Sequence, residues 1–270
     1  MPNLMERLML SHILTGKSFK LWERKGLSME RPKTQLGYGS TYKEVEESGV
    51  EGALLPIGSL EQHGHHLPLC TDTVIAFEVA KAVASRLNLF LLPPIPISCS
   101  AEHRGVKGTV YLRPETLTSV LRDIVESLSR SGFKYLVVLS GHGGNWILKP
   151  AVRYLNLDYP GFKVVLVGES AYGNRLKGIF EEVNDLHAGE HETSLMLYLR
   201  PDMVRGKPEG CRPDAGREML DYLPIWKITS TGVWGTPSNA SVEKGRLAFE
   251  KTVEAIVEYL RKLLARLNLL

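Results

Sequence analysis

Ala53-Leu54-Leu55-Pro56-Ile57-Gly58 leads directly into Glu61-Gln62-His63-Gly64-His65-His66-Leu67-Pro68 and then Thr71-Asp72-Thr73. A short apolar run that stops at glycine reads as a strand buried on both faces. Beyond it lie a carboxylate, three imidazoles and a second carboxylate within twelve residues. From 73 to 87 the apolar positions Val74, Ala76, Val79, Ala80, Val83 and Leu87 have helical spacing, and Thr71 or Asp72 is placed to cap that helix. The alternation continues. Strands are expected at 89–92, 135–139 and 163–167, and helices over 114–130, 146–156, 192–199 and 241–267. Pro114 opens one helix and Gly132 follows its end. Doubly apolar strands alternating with helices predict an α/β fold with a parallel sheet covered on two sides. Such sheets bind ligands beyond the carboxyl ends of their strands, so chemistry is expected just after residues 57 and 139.

The chain has 270 residues, 43% of them hydrophobic, enough for one large α/β domain. No Gly-, Ser- or Pro-rich linker and no repeat divides it, so a single domain is expected over residues 37–270. Residues 1–36 read as an N-terminal extension. Leu4, Leu8, Ile13 and Leu14 sit among charges in a loosely helical pattern that Gly26 weakens and Arg31-Pro32-Lys33 ends. A packing arm, a partly ordered tail and an oligomer contact all fit it, and Met29 is an alternative start. The net charge of +3, without a Lys/Arg run, gives no reason to expect nucleic acid as a partner. No apolar run approaches the roughly 18 residues of a membrane span. The mixed N-terminus is not a signal peptide. Three cysteines, Cys70, Cys99 and Cys211, with no CxxC pair suggest a reducing compartment, and a cytoplasmic location is expected. Each reads as a small apolar filler. Cys70 alone lies close enough to the ionisable cluster to offer a thiolate.

Carboxylate oxygen and imidazole nitrogen together are the ligand set of zinc, manganese or iron(II). Glu61 and His63 stand two apart in an extended segment and can face one ion. Gly64 and Pro68 turn the chain so that Asp72 can return to the same spot. Ser140-Gly141-His142-Gly143-Gly144-Asn145 follows the 135–139 strand; His142 is the candidate fourth ligand, and Asn145 can cap the next helix. His187-Ala188-Gly189-Glu190-His191-Glu192-Thr193 begins like HExxH, but Leu195 stands where the second histidine would be, so the zincin motif fails. His187 and Glu192 remain candidates for acid/base work and metal ligation, whereas Glu190 is explained as an ordinary first-turn acid. No GxSxG elbow supports a serine hydrolase. Ser100, Glu102, His103, Gly143 and Trp146 are candidates for lining a substrate pocket, with core packing the alternative for Trp146 and Trp234. Arg104 and Lys107 read as an exposed basic face.

These motifs resemble the creatininase (creatinine amidohydrolase) family. The resemblance runs through Glu61-Gln62-His63-Gly64-x-His66-Leu67-Pro68, Thr71-Asp72, Ser100-x-Glu102-His103 to Gly108-Thr109, Gly141-His142-Gly143-Gly144-Asn145 and His187-Ala188-Gly189-x-x-Glu192-Thr193. It ends with Gly232-Val233-Trp234-Gly235-x-Pro237 and Glu243-Lys244-Gly245. The resemblance implies a three-layer αβα sandwich with a central, mainly parallel sheet. It implies two divalent metal ions per subunit, zinc with manganese or iron, in a homo-oligomer that is often a hexamer. Glu61, His63, Asp72 and His142 map onto metal ligands, with Asp72 bridging. His187 maps onto a proton-transfer histidine and Glu192 onto a site glutamate. The implied reaction is metal-dependent hydrolysis of an amide, cyclic amide or formamide C–N bond in a small-molecule substrate. A metal-bridged hydroxide would attack, and His187 would protonate the leaving nitrogen. Family members acting on creatinine carry a glutamate ligand where this chain has Gly144, and a tryptophan near its Val183 and Asn184; His65 stands where proline is usual. Creatinine is therefore not the expected substrate, and the second metal loses a ligand or recruits Glu192. A formamide hydrolase of flavin or deazaflavin synthesis is one expectation. The alternatives are a peptidase of the mycofactocin-precursor type and a catalytically inactive, metal-stabilised binding scaffold.

Overall fold

The computed structural model describes residues 35–181 and 184–269. The arm expected over residues 1–36 lies outside them as far as residue 34, and Val183 lies outside them too. Four strands form the sheet of the described residues: β1 (Gly52–Ile57), β2 (Phe90–Leu91), β3 (Tyr135–Ser140) and β4 (Lys163–Val167), in the order β2-β1-β3-β4. All three pairings are parallel, with Leu54 opposite Leu91 and Val137, and Val137 opposite Val165.

Period-two alternation sorts the strand residues onto two faces. Ala53, Leu55, Ile57, Leu136, Val138 and Val164 pack against α3 (Pro114–Arg130) and α4 (Leu148–Asp158) through Leu117, Leu121, Leu148 and Leu155. Leu54, Val137, Leu139, Val165 and Val167 pack against α2 (Thr71–Leu87) and α6 (Val242–Arg266) through Val79, Val83, Ile256 and Leu260. The result is the expected αβα sandwich. Burial on both faces is why these strands are continuously apolar rather than alternating.

Several elements differ from expectation. The 89–92 run pairs only at Phe90 and Leu91, because Pro93-Pro94 cannot continue the ladder. Its outer side is held by Leu36 and Tyr38: Leu91 N–H donates to Leu36 O at 2.9 Å, and Tyr38 N–H to Leu91 O at 3.1 Å. Helix α1 (Tyr42–Ser48) has no buried residue, so no apolar period announces it. Its signal is the capping box, Thr41 accepting from Glu44 N–H and the Glu44 carboxylate from Thr41 N–H. Neither Thr71 nor Asp72 caps α2. The cap position is Cys70 without a side-chain bond, and both residues lie inside the helix. Asn145 does not cap α4 either. Its Oδ1 accepts from Cys99 N–H at 3.1 Å and its amide donates to Gly58 O at 3.4 Å, tying three strand-end loops together.

Helix α5 (Glu190–Leu199) lies against α6, and the Glu243-Lys244-Gly245 motif is the reason. Lys244 Nζ donates to the buried Glu190 at 2.6 Å and to Glu181 at 2.8 Å. Gly245 lets the helices touch: a Cβ there would lie 1.9 Å from Ser194 O. Backbone cannot yield to it cheaply. Gly245→Ala is expected to cost about 1–3 kcal/mol by overpacking, read as a lower urea midpoint at unchanged slope.

Candidate metal centre

Between β1 and β3 the chain connections leave in opposite directions, the topological position where parallel sheets bind ligands. Glu61 and His63 follow β1, His142 follows β3, and Asp72 arrives on the first turn of α2. Gly58 makes that arrival possible, since a Cβ there would lie 2.4 Å from the Thr73 backbone. Glu61 and His63 have no exposed surface and Asp72 only 2%.

These groups stand at ligand-to-ligand spacing. His63 Nε2 is 3.1 Å from Asp72 Oδ1 and 3.7 Å from Glu192 Oε2. His142 Nδ1 is 2.9 Å from Asp72 Oδ2, and its Nε2 is 3.2 Å from Glu61 Oε2. Glu61 Oε1 is 3.2 Å from His103 Nε2 and 3.7 Å from His187 Nδ1. Among the described residues, Glu61, His63 and Asp72 form one cluster able to surround an ion; His63, His187 and Glu192 form another, and Glu61, His103 and His187 a third. Cys70 joins none of them, and neither does His142, the expected fourth ligand, which meets Asp72 through one ring nitrogen and Glu61 through the other.

Hydrogen bonds fix the tautomers. His63 Nδ1 faces Glu61 O at 3.1 Å, so that nitrogen is committed as a donor and Nε2 is the one turned toward Asp72 and Glu192. His187 Nε2 donates to Gln62 O at 2.7 Å, leaving Nδ1 toward Glu61. The Gln62 carboxamide accepts from Gly64 N–H and donates to Gly232 O at 2.9 Å and to His103 Nδ1 at 3.0 Å. His103 therefore bears its proton on Nε2, facing Glu61. Trp234 and His187 exchange backbone hydrogen bonds of 2.8 and 3.1 Å, so the Gly232–Gly235 loop clamps His187 in place.

Electrostatics follows from burial. Desolvation pushes the Glu61 carboxyl up to about 8 despite the His142 imidazole beside it, and Glu192 up to about 7. Burial opposes charge on His63, but Asp72 and Glu192 outweigh it and raise the imidazole to about 10. Burial would also raise Asp72, yet His63 and His142 hold it well below the usual carboxylate range. Burial, with His103 and His63 nearby, keeps His187 well below the ordinary histidine value. Both Glu61 oxygens and His142 Nε2 are buried without a hydrogen-bond partner. Buried charges are normally paired or coordinate metals, and carboxylate oxygens beside imidazole lone pairs suit a divalent cation. The residues fit the group.

A cavity of about 540 Å³ opens onto Asp72, His142 and Glu192, and Trp146, Lys149 and Arg217 stand in its wall. That volume suits a small molecule. Trp146, 65% exposed, is not a core residue. Gly143 lies in the wall beneath Arg217 Nη2, which a Cβ at 143 would meet at 2.7 Å. Ser100 is buried with its hydroxyl unpartnered. Glu102 and His103 sit in the ionisable cluster rather than along the wall. Arg104 donates to the Ala101 and Tyr222 carbonyls, away from the cluster. Sequence reasoning missed Gln62, whose position inside the first motif was its signal, and Arg217, for which no signal existed.

Such a crevice in a three-layer sheet defines a metal-binding enzyme of α/β fold. The comparisons are more specific: the family model for creatininase, described as creatinine amidohydrolase, matches residues 39–260. The chain belongs to the creatininase family and is a hydrolase of that family. It is 34% identical over 222 residues to the mycofactocin precursor peptide peptidase of Mycobacterium ulcerans, covering 76% of this chain and 82% of the relative. It is 31% identical to the creatinine amidohydrolase of Pseudomonas putida, covering 82% and 94%. A deformylase of a 5'-monophosphorylated formylaminopyrimidine from Methanococcus maripaludis is 32% identical, over 41% of this chain and 49% of that one. Among solved structures, a manganese creatininase superposes with a TM-score of 0.72 at 27% identity, covering 84% of this chain and 98% of that one. A mutant creatininase of Zn-Zn type gives 0.69 at 28%, covering 84% and 97%. No helix of the described residues is long and apolar enough to cross a membrane.

A cation at this cluster must displace the proton from His63 Nε2. Metal uptake is therefore expected to release protons, and apparent affinity to fall as pH falls. Calorimetric titrations in buffers of different ionisation enthalpy read both.

Proposed function

We propose that the chain is a metal-dependent amidohydrolase that holds two divalent cations, zinc or manganese, and cleaves the C–N bond of a small amide, cyclic amide or formamide. The observation that carries this reading is Glu61, a fully buried carboxylate with neither oxygen hydrogen-bonded, set among His103, His142 and His187. His63, Asp72 and Glu192 would hold one cation, and Glu61 and His142 the other. Asp72, each of whose oxygens faces a different imidazole, would serve both. Bound there, divalent cations polarise a carbonyl oxygen and lower the pKa of water from about 15.7 toward neutrality.

The chain's own residues supply the rest. The Ser59 hydroxyl donates to Asp72 Oδ2 at 2.8 Å and fixes its orientation. His187 presents a neutral Nδ1 to the crevice while Gln62 O anchors Nε2. That nitrogen can take a proton as the amide carbon is attacked and return it to the leaving nitrogen, a transfer typically worth about 10²–10⁴-fold. Its depressed basicity favours the second step. Gly143 and Trp146 line the approach, whereas Ser100, fully buried, does not reach the cavity wall. The Ser140 hydroxyl donates to His142 O, which is not the setting of a nucleophile.

A short peptide is the second reading. The wide cavity with exposed Trp146 and Arg217 favours it, as does the similarity to a precursor-peptide peptidase.

Two variants test the scheme. Asp72→Ala is expected to lose bound metal and turnover together; retained full occupancy, measured by inductively coupled plasma mass spectrometry, would refute the shared carboxylate. His187→Ala should keep its metal and slow turnover by about 10²–10⁴-fold on a responsive amide or formamide. If metal is lost instead, His187 is a ligand. Hydrolysis unaffected by chelation would remove the metal mechanism altogether.

A further inference from the structure

We infer that Glu102 is a carboxylate of the metal centre itself and occupies the space a side chain at position 144 would fill. The inference rests on the metal-hydrolase reading and assigns one more residue to it. Gly144 lies in the turn after β3, two residues past His142. A Cβ there would stand 1.9 Å from Glu102 Oε1, 2.3 Å from His142 Nε2 and 2.8 Å from the backbone oxygen of Cys99. The imidazole and the backbone carbonyl are both fixed. No side chain fits at 144 while Glu102 holds its place, and Glu102 reaches His142 through the gap that glycine leaves.

The approach is at ligand-to-ligand distance. Glu102 Oε1 is 3.1 Å from His142 Nε2, and Glu61 Oε2 is 3.2 Å from the same nitrogen. Both separations are short enough for hydrogen bonds, yet His142 Nε2 and both Glu61 oxygens have no aligned partner. Ligand bonds of about 2.0–2.2 Å meeting near a right angle set neighbouring ligand atoms about 3 Å apart, the separation each carboxylate keeps from His142 Nε2. Charge agrees. Asp72 and Glu192 face His63, while Glu61 and Glu102 face His142. Each of the two imidazoles thus faces two carboxylates, a donor set that suits a divalent cation. The Gly144 departure is then a carboxylate moved in sequence and kept in space, not a ligand lost. Glu102 belongs to the metal centre and not to the substrate wall.

Metal content provides the test, independent of turnover. Wild-type chain, Glu102→Gln, Glu102→Ala and Gly144→Ala are stripped with chelator, reloaded with zinc or manganese, and assayed by mass spectrometry and calorimetric titration. Wild type is expected to hold two cations per chain. The Glu102 variants should hold one tightly and bind the second at least about tenfold more weakly, with unchanged far-ultraviolet circular dichroism before loading. Gly144→Ala should reproduce that loss by expelling Glu102. Two cations at wild-type affinity in both Glu102 variants would overturn the inference and leave Glu102 as an ion-pair partner of His142. A wild-type chain that binds no cation would instead sink the metal-hydrolase reading itself.

Discussion

A carboxylate with no exposed surface and no hydrogen bond to either oxygen must keep a proton or face a cation. Ionised and alone, it would cost far more than the few kcal/mol by which a domain is stable. Glu61 is such a group, and its neighbours share its problem. Burial drives Glu61 toward the protonated form, while Asp72 stays ionised by charging His63 and His142. Without a cation the cluster is thus a store of protons. On the proposed reading, cations would displace those protons and the same oxygens and nitrogens would serve as ligands. The donor set would make the exchange possible, because carboxylate oxygens and the imidazole nitrogens beside them take a proton or a divalent cation alike.

The fold meets this requirement by separating support from chemistry. Parallel pairing of β1 with β3 places residues 61 and 142 side by side although 81 positions divide them in the chain. The apolar faces below are continuous, so the strand ends stay fixed while the loops above them carry charge. Gln62 is the hub of those loops. One side chain and one carbonyl from it set the tautomers of His103 and His187 and hold the Gly232 loop. An imidazole with one nitrogen committed to the protein has a fixed orientation and leaves the other nitrogen to bind a cation or exchange a proton.

Much of this could be read in the residues. The doubly apolar strands announced a covered parallel sheet, and the rule about strand ends put Glu61, His63 and His142 in one crevice. What stayed hidden had physical reasons. Helix α1 buries nothing, so periodicity could not find it. Thr71 and Asp72 look like caps because caps and ligands use the same side chains; only the close approach at Gly58 shows that Asp72 is already inside the helix. Arg217 reaches Gly143 through a connection with no regular pattern. Glu102 reads from the sequence as a wall residue; it lies against His142 because Gly144 leaves the room, and an absence leaves no mark on sequence spacing.

Glu190 and Glu192 illustrate how far identity and position fall short of role. They are the same residue type in the same first turn of α5, and dipole arguments treat them alike. Two residues along an α-helix, however, turn the side chain by about 200°, so one points back across the helix from the other. Glu190 meets Lys244 of α6, and Glu192 meets His63 in the crevice. The ion pair on one face settles the rotation of the helix about its axis, and Gly245 settles its depth by allowing contact at Ser194 O. Those two constraints aim Glu192. The Glu243-Lys244-Gly245 motif, which never touches the crevice, therefore belongs with the chemical motifs: without it the second carboxylate facing His63 would have no fixed direction.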